Sequence, residues 1–141
     1  MVLVDTQFLF GLRETDINHR LCKEILEKQV KNLEISTISI LEIILVMMSQ
    51  KKDITHIQEF VKALDLIKTT YGLEEMKIGF KELLMGLEVL QKYPDQSFFD
   101  AMIIGSALAH EKPLLGDDNA FDDVLELVNI KLKEFKKLIN S

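Results

Sequence analysis

Residues 97–121 read SFFDAMIIGSALAHEKPLLGDDNAF, and this stretch decides the fold. From Phe98 to Ala109 the run is apolar nearly all round, with Asp100 as its one charge. A helix without a polar face belongs in the interior, so this segment is expected to be central and buried. Leu114-Leu115 follows, closed by Gly116, and reads as a brief strand. A buried helix feeding a short apolar strand is half of an alternating strand–helix pattern.

The rest of the chain supplies the other half. Val2-Leu3-Val4 ends on Asp5 and reads as a buried strand, and Leu33-Glu34-Ile35-Ser36 as a second. Asp16 can cap a helix from about Ile17, with Leu21, Ile25 and Leu26 on one face. Ile40, Ile43, Ile44 and Met47 keep helical spacing, as do Ile57, Phe60, Val61, Leu64 and Ile67 within Ile54–Ile67. Glu74 to Tyr93 repeats the pattern until Pro94 stops it. Leu127 to Phe135 reads as a terminal strand running into a basic tail. Alternation of this kind predicts an α/β fold, a three-layer α/β/α sandwich around a short, mainly parallel central sheet.

Composition sets the bounds. The 141 residues fit a single domain, 1–141, with 48% hydrophobic and 28% charged residues. Cys22 is alone, which excludes a disulfide framework and a cysteine-rich zinc module. The longest apolar run, Ile38 to Met48, is broken by Ser39 and Glu42 and is too short to span a bilayer. Met1-Val2-Leu3-Val4 carries no basic n-region, so no membrane segment or signal peptide is expected and a cytoplasmic location is. The net charge of −6, with a pI near 5.1, argues against a broad nucleic-acid-binding surface.

In parallel sheets, ligands sit beyond the carboxyl ends of the strands. Asp5 ends the first strand, Glu42 lies about a turn into the helix after the second, Asp100 opens the buried helix, and Asp117-Asp118 follow Leu114-Leu115. Each reading places a carboxylate on one edge. Unit charges 4 Å apart repel by about 4 kcal/mol at an effective dielectric near 20, so such a cluster calls for protons or cations. Oxygen-only ligands favour Mg²⁺ or Mn²⁺ over Zn²⁺. The implied chemistry is hydrolysis of a phosphodiester.

Local structure offers a competing account of every one of these acids. Ser39-Ile40-Leu41-Glu42 matches a capping box, and Ser97-Phe98-Phe99-Asp100 fits the same pattern. Asp5 can cap the turn after its strand, and Asp117-Asp118-Asn119 can be turn residues. From spacing alone both accounts stand.

The same residues resemble the motifs of the PIN domain, the nuclease family that includes the VapC toxins. Val4-Asp5-Thr6 resembles its opening motif, a hydrophobic strand followed by Asp and then Ser or Thr. Ser39-Ile40-Leu41-Glu42-Ile43 resembles the second, an acid early in a helix. Phe99-Asp100-Ala101-Met102-Ile103-Ile104-Gly105-Ser106-Ala107 is similar to the Asp-Ala-x-Ile-x-x-x-Ala helix. Leu114-Leu115-Gly116-Asp117-Asp118-Asn119-Ala120-Phe121 is similar to the Thr/Ser-x-Asp-x-x-Phe motif, which selects Asp118 over Asp117. The resemblance covers nearly the whole chain. It implies a metal-dependent endoribonuclease with Asp5, Glu42, Asp100 and Asp118 holding Mg²⁺ or Mn²⁺, and with Thr6 and Asp117 in support. It also implies RNA as substrate, a homodimer and, for a toxin, an antitoxin partner whose C-terminal segment blocks the groove. The other outcome is a non-catalytic PIN-like interaction module that keeps the acidic site. Two departures stand out: Gly116 where the family usually places Thr or Ser, and Gln7 where it often has Asn.

Other constellations are weaker. The six glycines form neither dinucleotide-binding nor phosphate-loop spacing. His19 and Cys22 are two ligands, too few for zinc, and Ser106 with His110 lacks an acid to complete a triad. Lys131, Lys133, Lys136 and Lys137, with Lys51-Lys52, are either solubilising or contacts for RNA phosphates. Two bound divalent cations would bring the formal −6 to about −2, so an acidic pI does not exclude an RNA substrate.

Overall fold

A computed structural model describes residues 1–140; of the expected 1–141 unit, Ser141 lies outside the described residues. Val2–Val4 (β1) pairs in parallel with Leu33–Ser36 (β2) on one side and Leu114–Leu115 (β4) on the other. Glu74–Met76 (β3) and Asn129–Ile130 (β5) form the two edges, giving the order β3-β2-β1-β4-β5 with every pairing parallel. The chain steps outward from β1 through β2 and β3, then crosses to the other side of β1. The reversal in strand order therefore falls at the centre of the sheet.

Strand side chains alternate between two cores. Val2, Val4, Leu33, Ile35 and Leu115 pack into one, against Thr6–Gly11 (α1), His19–Gln29 (α2), Thr37–Ser49 (α3), Ile54–Tyr71 (α4) and Leu132–Asn140 (α7). Leu3, Met76 and Leu114 face the other, under Phe80–Lys92 (α5) and Phe98–Ala109 (α6). Three layers result, as expected. Residues Ala101 to Ala107 of α6 are all buried, which accounts for a helix with no polar stripe.

The backbones of α5 and α6 touch. A Cβ built on Gly105 would lie 2.4 Å from the Gly86 nitrogen, and one on Gly86 would lie 3.2 Å from the Met102 Cα. Backbone cannot step aside as a side chain can, so Gly105→Ala forces the helices apart. It should cost up to about 3 kcal/mol and lower Tm by roughly 6–12 °C in a thermal melt. Unchanged melting would contradict this packing.

Three expectations need correction. Glu74–Met76 is an edge strand rather than the start of the following helix. Its Glu74 and Glu75 are exposed, and such charges guard an unpaired edge; the helical periodicity came from residues 80–90. That helix begins at Phe80, where the Gly79 N–H donates to the Glu82 carboxylate at 3.3 Å. Leu127–Phe135 is not one strand: β5 holds two residues, and Leu132 and Phe135, one turn apart, bury the face of α7. Finally, α2 starts at His19, with Asp16 Oδ1 instead accepting from the Asn18 N–H at 2.8 Å. The short helix α1 has no counterpart in the expected elements.

Candidate metal centre

Four elements that end or begin at the carboxyl edge of the sheet contribute to one cavity of about 220 Å³. Its wall includes Asp5, Thr6, Gln7, Glu42, Asp100 and Asp118, together with Phe10, Val46, Ile103 and Phe121. The apolar members follow a rule. Phe10 and Val46 stand four residues after Thr6 and Glu42, and Ile103 and Phe121 stand three after Asp100 and Asp118. Each element presents a polar group first and, one turn later, an apolar side chain. Phe10 and Val46 were not anticipated from the sequence, although this spacing marks them.

Asp5 sits at the end of β1 and is 4% exposed. Its Oδ1 accepts from the Phe8 N–H at 3.0 Å, capping α1, so the capping account of Asp5 holds alongside its place in the cavity wall. Burial pushes its carboxyl up to about 7 from an ordinary 3.8. The Phe8 hydrogen bond opposes that shift, while Asp117, Asp118 and Glu42 add to it. Near neutrality this carboxyl shares its time between the protonated and charged forms.

Glu42 is the sixth residue of α3, and the cap of that helix is Ser36, whose Oγ accepts from the Ile38 N–H at 3.1 Å. The Ser39–Glu42 capping box is therefore not formed; Ser39 is fully buried and its hydroxyl lacks a partner among the described residues. Glu42 instead accepts a hydrogen bond from the Thr6 hydroxyl, joining α3 to α1. Burial raises its pKa against that bond, with Asp100 and Asp118 adding to the rise.

Asp100 is the third residue of α6, with its N–H held by the Ser97 Oγ at 3.2 Å. Burial likewise raises its pKa, opposed by Ser97 and reinforced by Asp118. Asp118 caps the 3-10 turn Asn119–Asp123 through Oδ1, which accepts from the Ala120 N–H at 2.9 Å. Asp117 points elsewhere. Its Oδ1 accepts from the Leu132 N–H at 2.8 Å and so holds the start of α7; it is not part of the cavity wall.

Gly116 explains itself. A Cβ there would lie 2.6 Å from Asp5 Oδ2 and 3.0 Å from the Phe121 ring. The hydroxyl residue expected at this position has no room while Asp5 keeps its orientation. Gly116→Ser should therefore destabilise the fold by about 1–3 kcal/mol, read as a lower Tm at neutral pH. A variant as stable as the parent would show that Asp5 can turn away freely.

Oxygen donors alone surround the cavity, which matches a hard divalent cation in donor chemistry. Among the described residues, no three Asp, Glu, His or Cys side chains are placed to hold one ion between them. Mg²⁺ commonly binds through one or two carboxylates, with waters and a substrate phosphate completing its shell. The wall residues suit that mode rather than an all-protein cage.

Lys131 pairs with Asp122 at 3.0 Å and Lys136 with Glu24 at 3.1 Å, so half of the basic tail is engaged in ion pairs. Among the described residues, no helix is long and apolar enough to cross a membrane.

Comparison with known proteins adds the following. The model of the PIN domain family matches residues 2–127. No curated protein matches the sequence. Among solved structures, the chain is similar to VapBC2 from Rickettsia felis bound to a promoter DNA fragment, at 20% identity and TM-score 0.69, over 93% of this chain and 98% of the other. VapBC from Salmonella typhimurium bound to DNA gives 15% identity and TM-score 0.71, over 94% and 99%. VapC20 from Mycobacterium tuberculosis, a toxin that cleaves the sarcin-ricin loop, gives 16% and 0.68, over 87% and 94%. At these identities the likeness speaks for the fold.

Proposed function

The chain belongs to the PIN domain family, and on that premise we propose that it is a divalent-metal-dependent endoribonuclease, the toxin of a VapBC-type pair. What supports the reading most is one cavity with Asp5, Glu42, Asp100 and Asp118 in its wall, drawn from four separate elements at the carboxyl edge of a parallel sheet.

In this reading one or two of Asp5, Glu42, Asp100 and Asp118 would ligate Mg²⁺ or Mn²⁺ directly, with waters and a substrate phosphate completing the shell. When bound, the cation lowers the pKa of an attacking water and offsets charge on the scissile phosphodiester and leaving oxygen. The protein's own groups prepare the site. Thr6 donates to Glu42 and fixes its carboxylate between α1 and α3. Capping bonds use Oδ1 of Asp5 and Asp118 and leave Oδ2 of each to the ligand. Burial raises the Asp5 pKa, so a cation bound at this carboxylate would replace a proton there. Phe10, Val46, Ile103 and Phe121 limit water around the reacting groups.

Partners follow the same reading. An antitoxin segment would occupy the cavity and its approach. A second copy would cover exposed apolar side chains such as Leu41, Leu45 and Met48 on α3 or Phe80, Leu84 and Leu87 on α5. The deciding experiment is turnover of a panel of single-stranded RNAs with Mn²⁺ or Mg²⁺, with and without EDTA. Cleavage that EDTA abolishes is expected. No cleavage of any RNA with either metal would leave a PIN-like interaction module with an idle site.

A further inference from the structure

An RNA strand entering a cavity walled by four carboxylates needs a fixed positive group nearby, because divalent ions neutralise only part of that charge. The chain has two arginines, Arg13 and Arg20. Arg13 lies in the turn after α1, exposed to solvent, with its guanidinium carbon 4.7 Å from the centroid of Phe10 and 5.5 Å from that of Phe60. The two rings tilt against each other at 5.8 Å and 41°, joining α1 to α4. The Nε–H of Arg13 donates to the Phe10 carbonyl at 3.4 Å. Its plane is thus set by two rings and one hydrogen bond, while its terminal N–H groups have no carboxylate partner among the described residues.

That combination is unusual for this surface. Lys131 is committed to Asp122 and the Asp117 carbonyl, and Lys136 to Glu24. Phe10, whose ring carries the guanidinium, is itself part of the cavity wall. The charge therefore stands against the side of that wall which Phe10 forms, next to the cavity rather than inside it. A planar fork held in place loses little freedom on binding and suits a phosphate better than an ammonium does.

We infer that Arg13, stacked on Phe10 and Phe60, is a substrate-positioning residue that binds a backbone phosphate of single-stranded RNA beside the scissile one. The inference rests on the ribonuclease reading for its kinetic arm, and its binding arm stands apart from it.

Binding is read with a short fluorescein-labelled single-stranded RNA and protein carrying Asp100→Asn, with Arg13 intact or replaced. Arg13→Ala is expected to weaken binding about tenfold at low salt and to reduce the slope of log K against log salt by about 0.7. Arg13→Lys should keep that slope and recover part of the affinity, since the charge remains and the fork does not. Phe60→Leu should fall between parent and Arg13→Ala. In the otherwise unaltered protein with Mn²⁺, Arg13→Ala should raise KM and leave kcat unchanged.

Binding and slope unchanged in Arg13→Ala overturn the inference, as does an Arg13→Lys that loses the slope as fully as Arg13→Ala, since a structural role would then suffice. RNA affinity unchanged while an acidic protein partner is lost would also overturn it. Should the parent protein bind RNA through Arg13 yet cleave none, the ribonuclease reading and the positioning role fall, and the phosphate-binding role of Arg13 stands.

Discussion

Replacing Asp100 by Asn is expected to lower Mn²⁺-dependent RNA turnover by at least about 100-fold, and Asp5→Asn and Asp118→Asn should do the same. Stabilising charge at a phosphodiester through a bound cation is a matter of several kcal/mol, and each tenfold in rate is about 1.36 kcal/mol. Asn keeps the shape and one acceptor oxygen, so the Ser97–α6 start and the caps made by Asp5 and Asp118 survive while a ligand charge is lost. The loss should appear in kcat. Asp117→Ala is the internal control. Its carboxylate holds the start of α7, so it should cost about 1 kcal/mol of stability and leave turnover largely intact. Wild-type rates from Asp5→Asn or Asp100→Asn would reject the assignment of the site. An Asp117→Ala as inactive as those variants would reject the division of labour between neighbouring aspartates.

The second large effect has the opposite sign. In EDTA at pH 8, Asp5→Asn is expected to melt well above the parent. The Asp5 carboxyl titrates near 7 in the fold against 3.8 for an unburied group. A raised acid pKa means that the folded state binds the proton more tightly than the unfolded state. Stability therefore falls as pH rises from about 4 to about 7 and is flat beyond. Above pH 7 the gap corresponds to up to about 4 kcal/mol, on the order of 10 °C in Tm. The advantage of Asn should shrink to nothing as pH falls toward 4, where the parent carries a neutral acid. Mn²⁺ should act the other way, raising the parent's Tm by about 2.7 kcal/mol equivalent at 100 times Kd and the variant's far less. A scan from pH 4 to pH 8 showing parallel melting curves would exclude the buried, charge-crowded Asp5 on which both results depend.

Legibility in the sequence followed burial. Residues 98–109 announced a central helix because seven consecutive positions, Ala101 to Ala107, are buried. Strands β1 and β4 were readable as apolar runs because helices cover both faces of the sheet, and β2 by the alternation of Leu33 and Ile35 with Glu34 and Ser36. Edges were not: Glu74-Glu75-Met76 has two exposed charges, and its strand character comes only from pairing with β2. Residues 132–140 failed for another reason. Leu132 and Phe135 bury one face among lysines, and in so short a segment helix and strand spacings look alike.

Among the acids, spacing left Glu42 equally placed for a capping box and for the cavity wall. The position of Ser36, three residues before Ser39, removed the first account, and no local pattern in the sequence separated those two serines. For Asp5 and Asp118 the choice was false, since each caps a segment with one oxygen and lines the cavity as well. Gly116 looked like a missing hydroxyl and proved to be the space that the Asp5 carboxylate occupies.

The pairing of β1 with both β2 and β4 also bears on synthesis. Leu3 and Val4 find their partners Leu114 and Leu115 only after most of the chain has been made. Until then Asp5 lies on a strand with one open side, and Asp118, beyond β4, has not yet emerged. At about 5–20 residues per second, a ribosome takes several seconds to reach that point. Any fragment released earlier lacks one wall of the cavity altogether. The order of strands thus leaves the cavity without one wall until β4 and Asp118 have been made.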